Sequence, residues 1–252
     1  MITDLRRSLE KCLETGLDGD SGVLFSGGLD SSLLTALARP YGQLRLYTVG
    51  FPGAHDLKAG CEGAVELNLP WHQISIDEDM VRRGVCFLRS EMDIDDPLTI
   101  SFELPLFFIC SAVPEKRLLS GQGADELFGG YARYSTMPAQ EMERAMRQDQ
   151  ERLLSAGRQL EGRIAGHFGK EMVCPYLCPE VVGIARRFSP DQLFGPLGNK
   201  SPLRLLAKEM GLSSATAPKK AAQYGSGISN AMKRMASRDG MDLRTWVREV
   251  RT

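Results

Sequence analysis

The stretch Gly22-Val23-Leu24-Phe25-Ser26-Gly27-Gly28-Leu29-Asp30-Ser31-Ser32 decides how this chain is read. An apolar run with strand character passes into a Ser-Gly-Gly turn, and the turn opens a helix-patterned segment, Asp30 to Arg39, stopped by Pro40. Two glycines in such a turn let the backbone approach an anion closely, successive N–H groups form a concave nest, and the helix start adds unsatisfied donors and a positive dipole end. Ser26, Ser31 and Ser32 add hydroxyl donors. The strand before and the helix after favour a phosphate loop over an ordinary turn and N-cap. It lacks the lysine of the Gly-x-x-x-x-Gly-Lys-Ser/Thr loop, and Asp30 stands where phosphate oxygens would gather. Asp30 therefore calls for Mg²⁺ between itself and the phosphates of ATP.

Outward from this loop the elements alternate. Ile2, Leu5, Leu9, Cys12 and Leu13 share one face at helical spacing, with Thr3 or Asp4 as cap and Gly16 as stop. Strand-like runs recur at 44–49, 72–76 and 117–120, and helical segments are expected over 57–67, 77–90 and 102–112. Such alternation implies right-handed crossovers and an α/β fold with a doubly wound parallel sheet. Beyond Tyr134 strand signals fade and prolines interrupt a helical pattern. The expected division is an ATP-binding α/β region with an N-terminal helix over 1–135, and a helical subdomain packed on it over 136–252.

Composition narrows the class. With 252 residues, 42% hydrophobic and 25% charged, the chain has the make-up of a folded globular protein. It has no apolar run of membrane-spanning length and no signal-peptide core, so a cytoplasmic protein is expected. Six scattered cysteines read as small buried hydrophobes rather than a disulfide frame. Cys174 and Cys178 have half the spacing of a zinc site, but no second cysteine pair completes it and the three histidines are dispersed. Net charge is −1 overall, yet residues 1–135 carry 12 Lys+Arg against 20 Asp+Glu, and residues 136–252 carry 19 against 12. A basic rear half facing an acidic front half suits closure over a polyphosphate; solvated helix faces are the plainer reading, and nucleic acid the weaker one.

A second motif, Ser120-Gly121-Gln122-Gly123-Ala124-Asp125-Glu126-Leu127-Phe128-Gly129-Gly130-Tyr131, follows another expected strand. Loops after strands gather at the carboxyl edge of a parallel sheet, so Asp125 is expected near Asp30, sharing Mg²⁺ with it. Here the chain resembles the asparagine synthetases and their β-lactam synthetase relatives, a family with a pyrophosphate-type loop. Gly50-Phe51-Pro52-Gly53-Ala54-His55-Asp56-Leu57-Lys58-Ala59 is similar to a third family segment, and Pro175-Tyr176-Leu177-Cys178 to its Pro-Phe-Leu-Asp, which makes Cys178 structural.

The resemblance implies an enzyme that activates a carboxylate as its adenylate and releases pyrophosphate. Ser26, Gly27, Gly28, Asp30, Ser31 and Ser32 would hold pyrophosphate, Asp30 and Asp125 would hold Mg²⁺, and Leu24, Val49, Ser120 and Gly121 would border the nucleotide. Pro218-Lys219-Lys220-Ala221-Ala222-Gln223-Tyr224-Gly225 resembles the segment that carries the family's lysine, so Lys220, or Lys219 if the register slips, is expected at the reaction centre; surface charge is the plainer reading of both. Two departures qualify this. The family's full-length enzymes begin with a glutaminase domain whose nucleophile is an N-terminal cysteine, whereas residue 2 here is Ile2. Nitrogen is thus expected as free ammonia, an amine, or ammonia from a separate glutaminase subunit. And Gln122 stands where asparagine synthetases carry glutamate; an amide can orient a nucleophile but cannot take its proton. Two other classes stay open: a tRNA-modifying enzyme with the same loop, and a nucleotide-binding partner subunit without turnover.

Overall fold

The computed structural model describes residues 1–217 and 225–251. Five strands, β1 (Asp20–Leu24), β2 (Gln43–Gly50), β3 (Trp71–Ser75), β4 (Arg117–Leu119) and β5 (Glu171–Val173), form one sheet in the order β3-β2-β1-β4-β5. Every pairing is parallel; Val23 stands beside Leu46 and Leu119, and Leu118 beside Met172. The chain winds outward from β1 to β3, then returns to the other side of β1 as β4. The doubly wound parallel sheet is thus present, with its switch point between β1 and β4.

Helices cover both faces, and the strand residues divide between them with a period of two. Val23, Leu46 and Leu119 point into a core with Leu5, Leu9 and Leu13 of α1 (Ile2–Gly16) and Leu33, Leu34 and Leu37 of α2 (Leu29–Ala38). Tyr47, Val49 and Leu118 point into a second core with α4 (Glu78–Met92), α5 (Pro97–Ala112), α12 (Ile228–Arg238) and α13 (Leu243–Glu249). The remaining helices are α3 (His55–Leu67), α6 (Ala124–Phe128), α7 (Ala139–Arg152), α8 (Arg158–His167), α9 (Pro179–Ala185), α10 (Pro190–Leu193) and α11 (Ser201–Glu209); a π turn, Leu153–Gly157, joins α7 to α8. No described helix is long and apolar enough to cross a membrane.

Two sequence expectations need correction. No strand was expected after Tyr134, yet β5 pairs with β4. Three residues at a sheet edge are too short to show a period, and Glu171 and Met172 carry no strand signature. The cysteines do not all behave as buried apolar residues. Cys12 of α1 and Cys178 at the start of α9 form a disulfide across 166 residues of sequence, while Cys61 is exposed. Cys174 and Cys178 have half the spacing of a zinc site, but Cys178 is bonded to Cys12 where α1 packs on α9.

At the sheet's opposite edge from the phosphate loop, the Tyr47 hydroxyl donates to Glu115 Oε2 (2.8 Å) and Arg45 donates to Oε1 (2.6 Å). Burial opposes charge on Glu115, but these donors outweigh it and hold the carboxyl below the usual range. Glu115→Ala would strand the buried Tyr47 hydroxyl, and urea unfolding should register a loss of about 1–3 kcal/mol. A loss below about 0.5 kcal/mol would mean that water replaces the carboxylate at no cost.

Candidate functional site

The loop after β1 and the loop after β4 meet at the switch point, where an open α/β sheet leaves a crevice between diverging connections. Gly27 has φ +70°, and any Cβ there would collide with the Ala59 carbonyl of α3, so only glycine lets the loop pass under that helix. Ser26 and Ser31 hydroxyls lie 3.3 Å apart, Gly28 N–H donates to Ser26 Oγ (3.3 Å), and the Ser31 hydroxyl donates to the Gly28 carbonyl (3.3 Å). Tyr176, fully buried, donates to the Asp30 carbonyl (3.3 Å) and fixes the first turn of α2 from below.

A cavity of about 310 Å³ opens above this loop, lined by Ser26, Gly27, Gly28, Leu29, Asp30, Asp125, Lys200 and Arg204 among others. Ser31 and Ser32 are buried behind the lining, where Ser31 braces the loop. Leu24, Val49, Ser120 and Gly121 also lie off its wall. Ser120 is buried, its N–H donating to Val173 of β5 (2.9 Å), and Gly121 backs onto Asp30, whose Cβ would lie 3.3 Å from a Cβ at 121. The loop therefore offers the cavity its backbone, the Ser26 hydroxyl and the Asp30 carboxylate.

Asp30 and Asp125 converge as the motifs predict, and the group between them is one that motif reading did not find. Lys200 Nζ lies 2.5 Å from Asp30 Oδ2 and 2.6 Å from Asp125 Oδ1, with the side chain 2% exposed. Burial pulls the Lys200 pKa down, but the two carboxylates outweigh it and the net shift is upward, so the ammonium stays charged. Lys200 precedes α11 with φ +57°, a left-handed conformation that non-glycine residues rarely adopt. Asn199, next to it, donates from Nδ2 to the Gly130 carbonyl (3.1 Å). Any Cβ on Gly130 would collide with Asp125 Oδ1 and Lys200 Cε. The second glycine of Phe128-Gly129-Gly130-Tyr131 is thus the space into which the lysine fits. The only sequence signal for Lys200 is its place before Ser201-Pro202, where proline opens a helix.

The donor set suits Mg²⁺. Lys200 takes the point on which Asp30 Oδ2 and Asp125 Oδ1 converge, so Mg²⁺ would be held by the outer oxygens of these two hard carboxylates beside the phosphate-type loop, with phosphate oxygens and water completing its coordination. Among the described residues no group of three or more His, Cys, Asp or Glu side chains forms a metal cage, so such an ion would depend on the phosphates it accompanies. Arg204 is a second cation on the cavity wall; burial lowers its pKa, while its guanidinium donates to the Asn199 and Ala215 carbonyls (both 2.8 Å). Lys219 and Lys220 lie outside the described residues; on either side of that segment, Ala217 lines the cavity and Gly225 packs against Asp56, another lining residue.

Gln122 lies in the loop that leads into α6, its N–H donating to Ser120 Oγ (3.2 Å). Its amide reaches the start of α8, where a Cβ on Gly157 would lie 3.9 Å from Nε2. Gln122 Oε1 is shielded from solvent and accepts no hydrogen bond from the described residues.

The family model described as asparagine synthase matches residues 4–162. Asparagine synthetase B (glutamine-hydrolyzing) of Escherichia coli is 30% identical over 76% of this chain and 39% of its own length. A Methanocaldococcus jannaschii protein named provisionally as a glutamine-hydrolyzing asparagine synthetase is 30% identical over 89% of this chain and 49% of its own length. The chain therefore spans half or less of the curated relatives it matches. Among solved structures, the U34-tRNA thiolase NcsA from Methanococcus maripaludis overlaps with a TM-score of 0.48 at 14% identity, covering 98% of this chain and 76% of that one. An overlap at that level adds nothing to the assignment.

Lys200→Met would leave two facing carboxylates without their shared cation. Thermal or urea unfolding should show a loss of about 3–5 kcal/mol, and adding Asp125→Asn to it should recover part of that loss by removing the repulsion. Strict additivity of the two substitutions would show that Lys200 and Asp125 are not coupled.

Proposed function

The chain belongs to the asparagine synthase family, and on that premise we propose that it activates a carboxylate with ATP as an acyl-adenylate, releases pyrophosphate, and passes the acyl group to ammonia or an amine. The observation that carries this reading is the convergence of Asp30 and Asp125 on one buried cation beside a lysine-free phosphate loop.

Attack on the α-phosphorus places growing charge on the leaving pyrophosphate, and a loop of backbone donors at a helix start answers that charge. Ser26, Gly27 and Gly28 would grip the β- and γ-phosphates. Mg²⁺ held by Asp30 and Asp125 would supply further neutralisation when bound. Lys200 fixes both carboxylates in place, and Lys220, or Lys219, would bring a further cation to the reaction centre. The loop pattern does not suit γ-phosphoryl transfer, where a loop lysine normally reaches the β- and γ-phosphates. The acyl acceptor would arrive past Gln122, either as free ammonia or amine, or as ammonia from a separate glutaminase.

The test is ATP turnover against a panel of amino acids with and without ammonium, resolving AMP from ADP. AMP and pyrophosphate in equal amounts are expected, and stoichiometric ADP would overturn the reading. Asp125→Asn should lower AMP formation at least about tenfold by removing one hard-oxygen charge. Gln122→Glu should leave pyrophosphate release largely intact while changing ammonia or amine use; the reverse pattern would put Gln122 in the nucleotide site.

A further inference from the structure

Residues 174–178 run as a strap behind the phosphate loop. The strap leaves β5, whose pairing with β4 ties one end to the sheet, and passes through the 3-10 turn Pro175–Leu177 into α9. Two of its side chains touch the two motif loops. Tyr176, fully buried, donates to the Asp30 carbonyl (3.3 Å) at the start of α2, and Leu177 lies against Gly123, where any Cβ would collide with it. Gly123 opens α6, so the strap backs both helix starts that carry the carboxylates of the triad. Its other end is tied by the Cys12–Cys178 bond to α1, which packs on the turn and on α9.

We propose that the Cys12–Cys178 bond is a reversible thiol–disulfide switch, opened by a dithiol, that tightens the nucleotide cavity when closed and loosens it when open. The proposal rests on the reading of that cavity as the ATP site.

Three observations support a switch over a fixed staple. Access is one-sided: Cys178 is half-buried and followed by exposed Pro179 and Glu180, whereas Cys12 is buried, so an external thiolate reaches the Cys178 sulfur. The fold does not depend on the bond. Leu5, Leu9 and Leu13 seat α1 in the core and Val181, Val182 and Ala185 seat α9, so opening releases the end of the strap without unfolding either helix. The third observation is chemical. Where the resembling family segment reads Pro-Phe-Leu-Asp, this chain differs in the hydroxyl that reaches Asp30 and the sulfur that bonds Cys12, so link and anchor occur together. Burial pushes the thiol of Cys174 up, which keeps it protonated and out of the exchange.

Opening balances with the dithiol as the only co-reactant. One of its thiolates attacks Cys178 Sγ, the S–S bond breaks, and Cys12 leaves as a thiolate that takes up a proton. The second thiolate attacks the reductant's own sulfur in the mixed disulfide, and Cys178 leaves and is protonated. Two cysteine thiols and one disulfide of the reductant result, with both protons drawn from the reductant's thiols; a small disulfide reverses the steps. With the bond open, only β5 and apolar packing hold the strap, and Asp30 and Asp125 lose part of their fixed spacing.

The experiment compares the whole chain before and after dithiothreitol, with mass mapping of the linked peptides that hold Cys12 and Cys178. The bond should open with helix content retained by circular dichroism, and it should re-form with oxidised glutathione. Hydrogen exchange of the backbone amides at 26–32 and 123–128 should quicken at least about fivefold in the reduced chain, in Cys12→Ala and in Cys178→Ala, and Kd for ATP with Mg²⁺ should rise by a similar factor. Tyr176→Phe should still open and close the bond but lose the response at 26–32, which a merely structural bond would not produce. Cys61→Ala, which removes the exposed thiol, should respond as wild type does. A bond that opens only on unfolding, a bond that does not re-form, or exchange at both loops that is equal in the two states would each overturn the switch. If exchange responds and no ATP binds in either state, the switch stands and the nucleotide reading fails. If ATP binds equally in both states and exchange does not change, the reverse holds.

Discussion

One ion triad organises this molecule. Asp30, Asp125 and Lys200 come from the start of α2, the start of α6 and the residue before α11, and they meet with Lys200 2% exposed. Burying an ammonium costs several kcal/mol, and only a dense set of acceptors offsets that. Two carboxylates within 2.6 Å provide it, and the arrangement dictates its surroundings. Position 130 must lack a side chain, Lys200 must hold a positive φ, and Asn199 must anchor the turn to Gly130. Regions 170 residues apart in sequence are thereby registered at the carboxyl edge of the sheet.

The sequence made some of this legible because local rules govern it. The phosphate loop was readable from strand, glycine pair and helix start, and the sheet from regular alternation of apolar runs with helices. The placement of Asp125 near Asp30 followed from topology, since parallel strands bring their following loops to one edge. What was not readable depends on distant packing. Lys200 looks like any charged residue ahead of a proline-led helix, and its role exists only where Asp30, Asp125 and Gly130 converge. β5 has no periodicity to show in three residues. The Cys12–Cys178 pair joins α1 to the start of α9, and no spacing rule reaches across 166 residues.

Charge sets what the cavity wall can offer a ligand. The triad carries a net charge of about −1, from two carboxylates and one ammonium, so it cannot by itself balance a triphosphate. Among the described residues Arg204 is a further cation on the wall, and a nucleotide bound there would need more positive charge than Lys200 and Arg204 supply. A carboxylate at 122 would add one more negative charge three residues from Asp125, on the loop that leads into α6, whereas the Gln122 amide adds none.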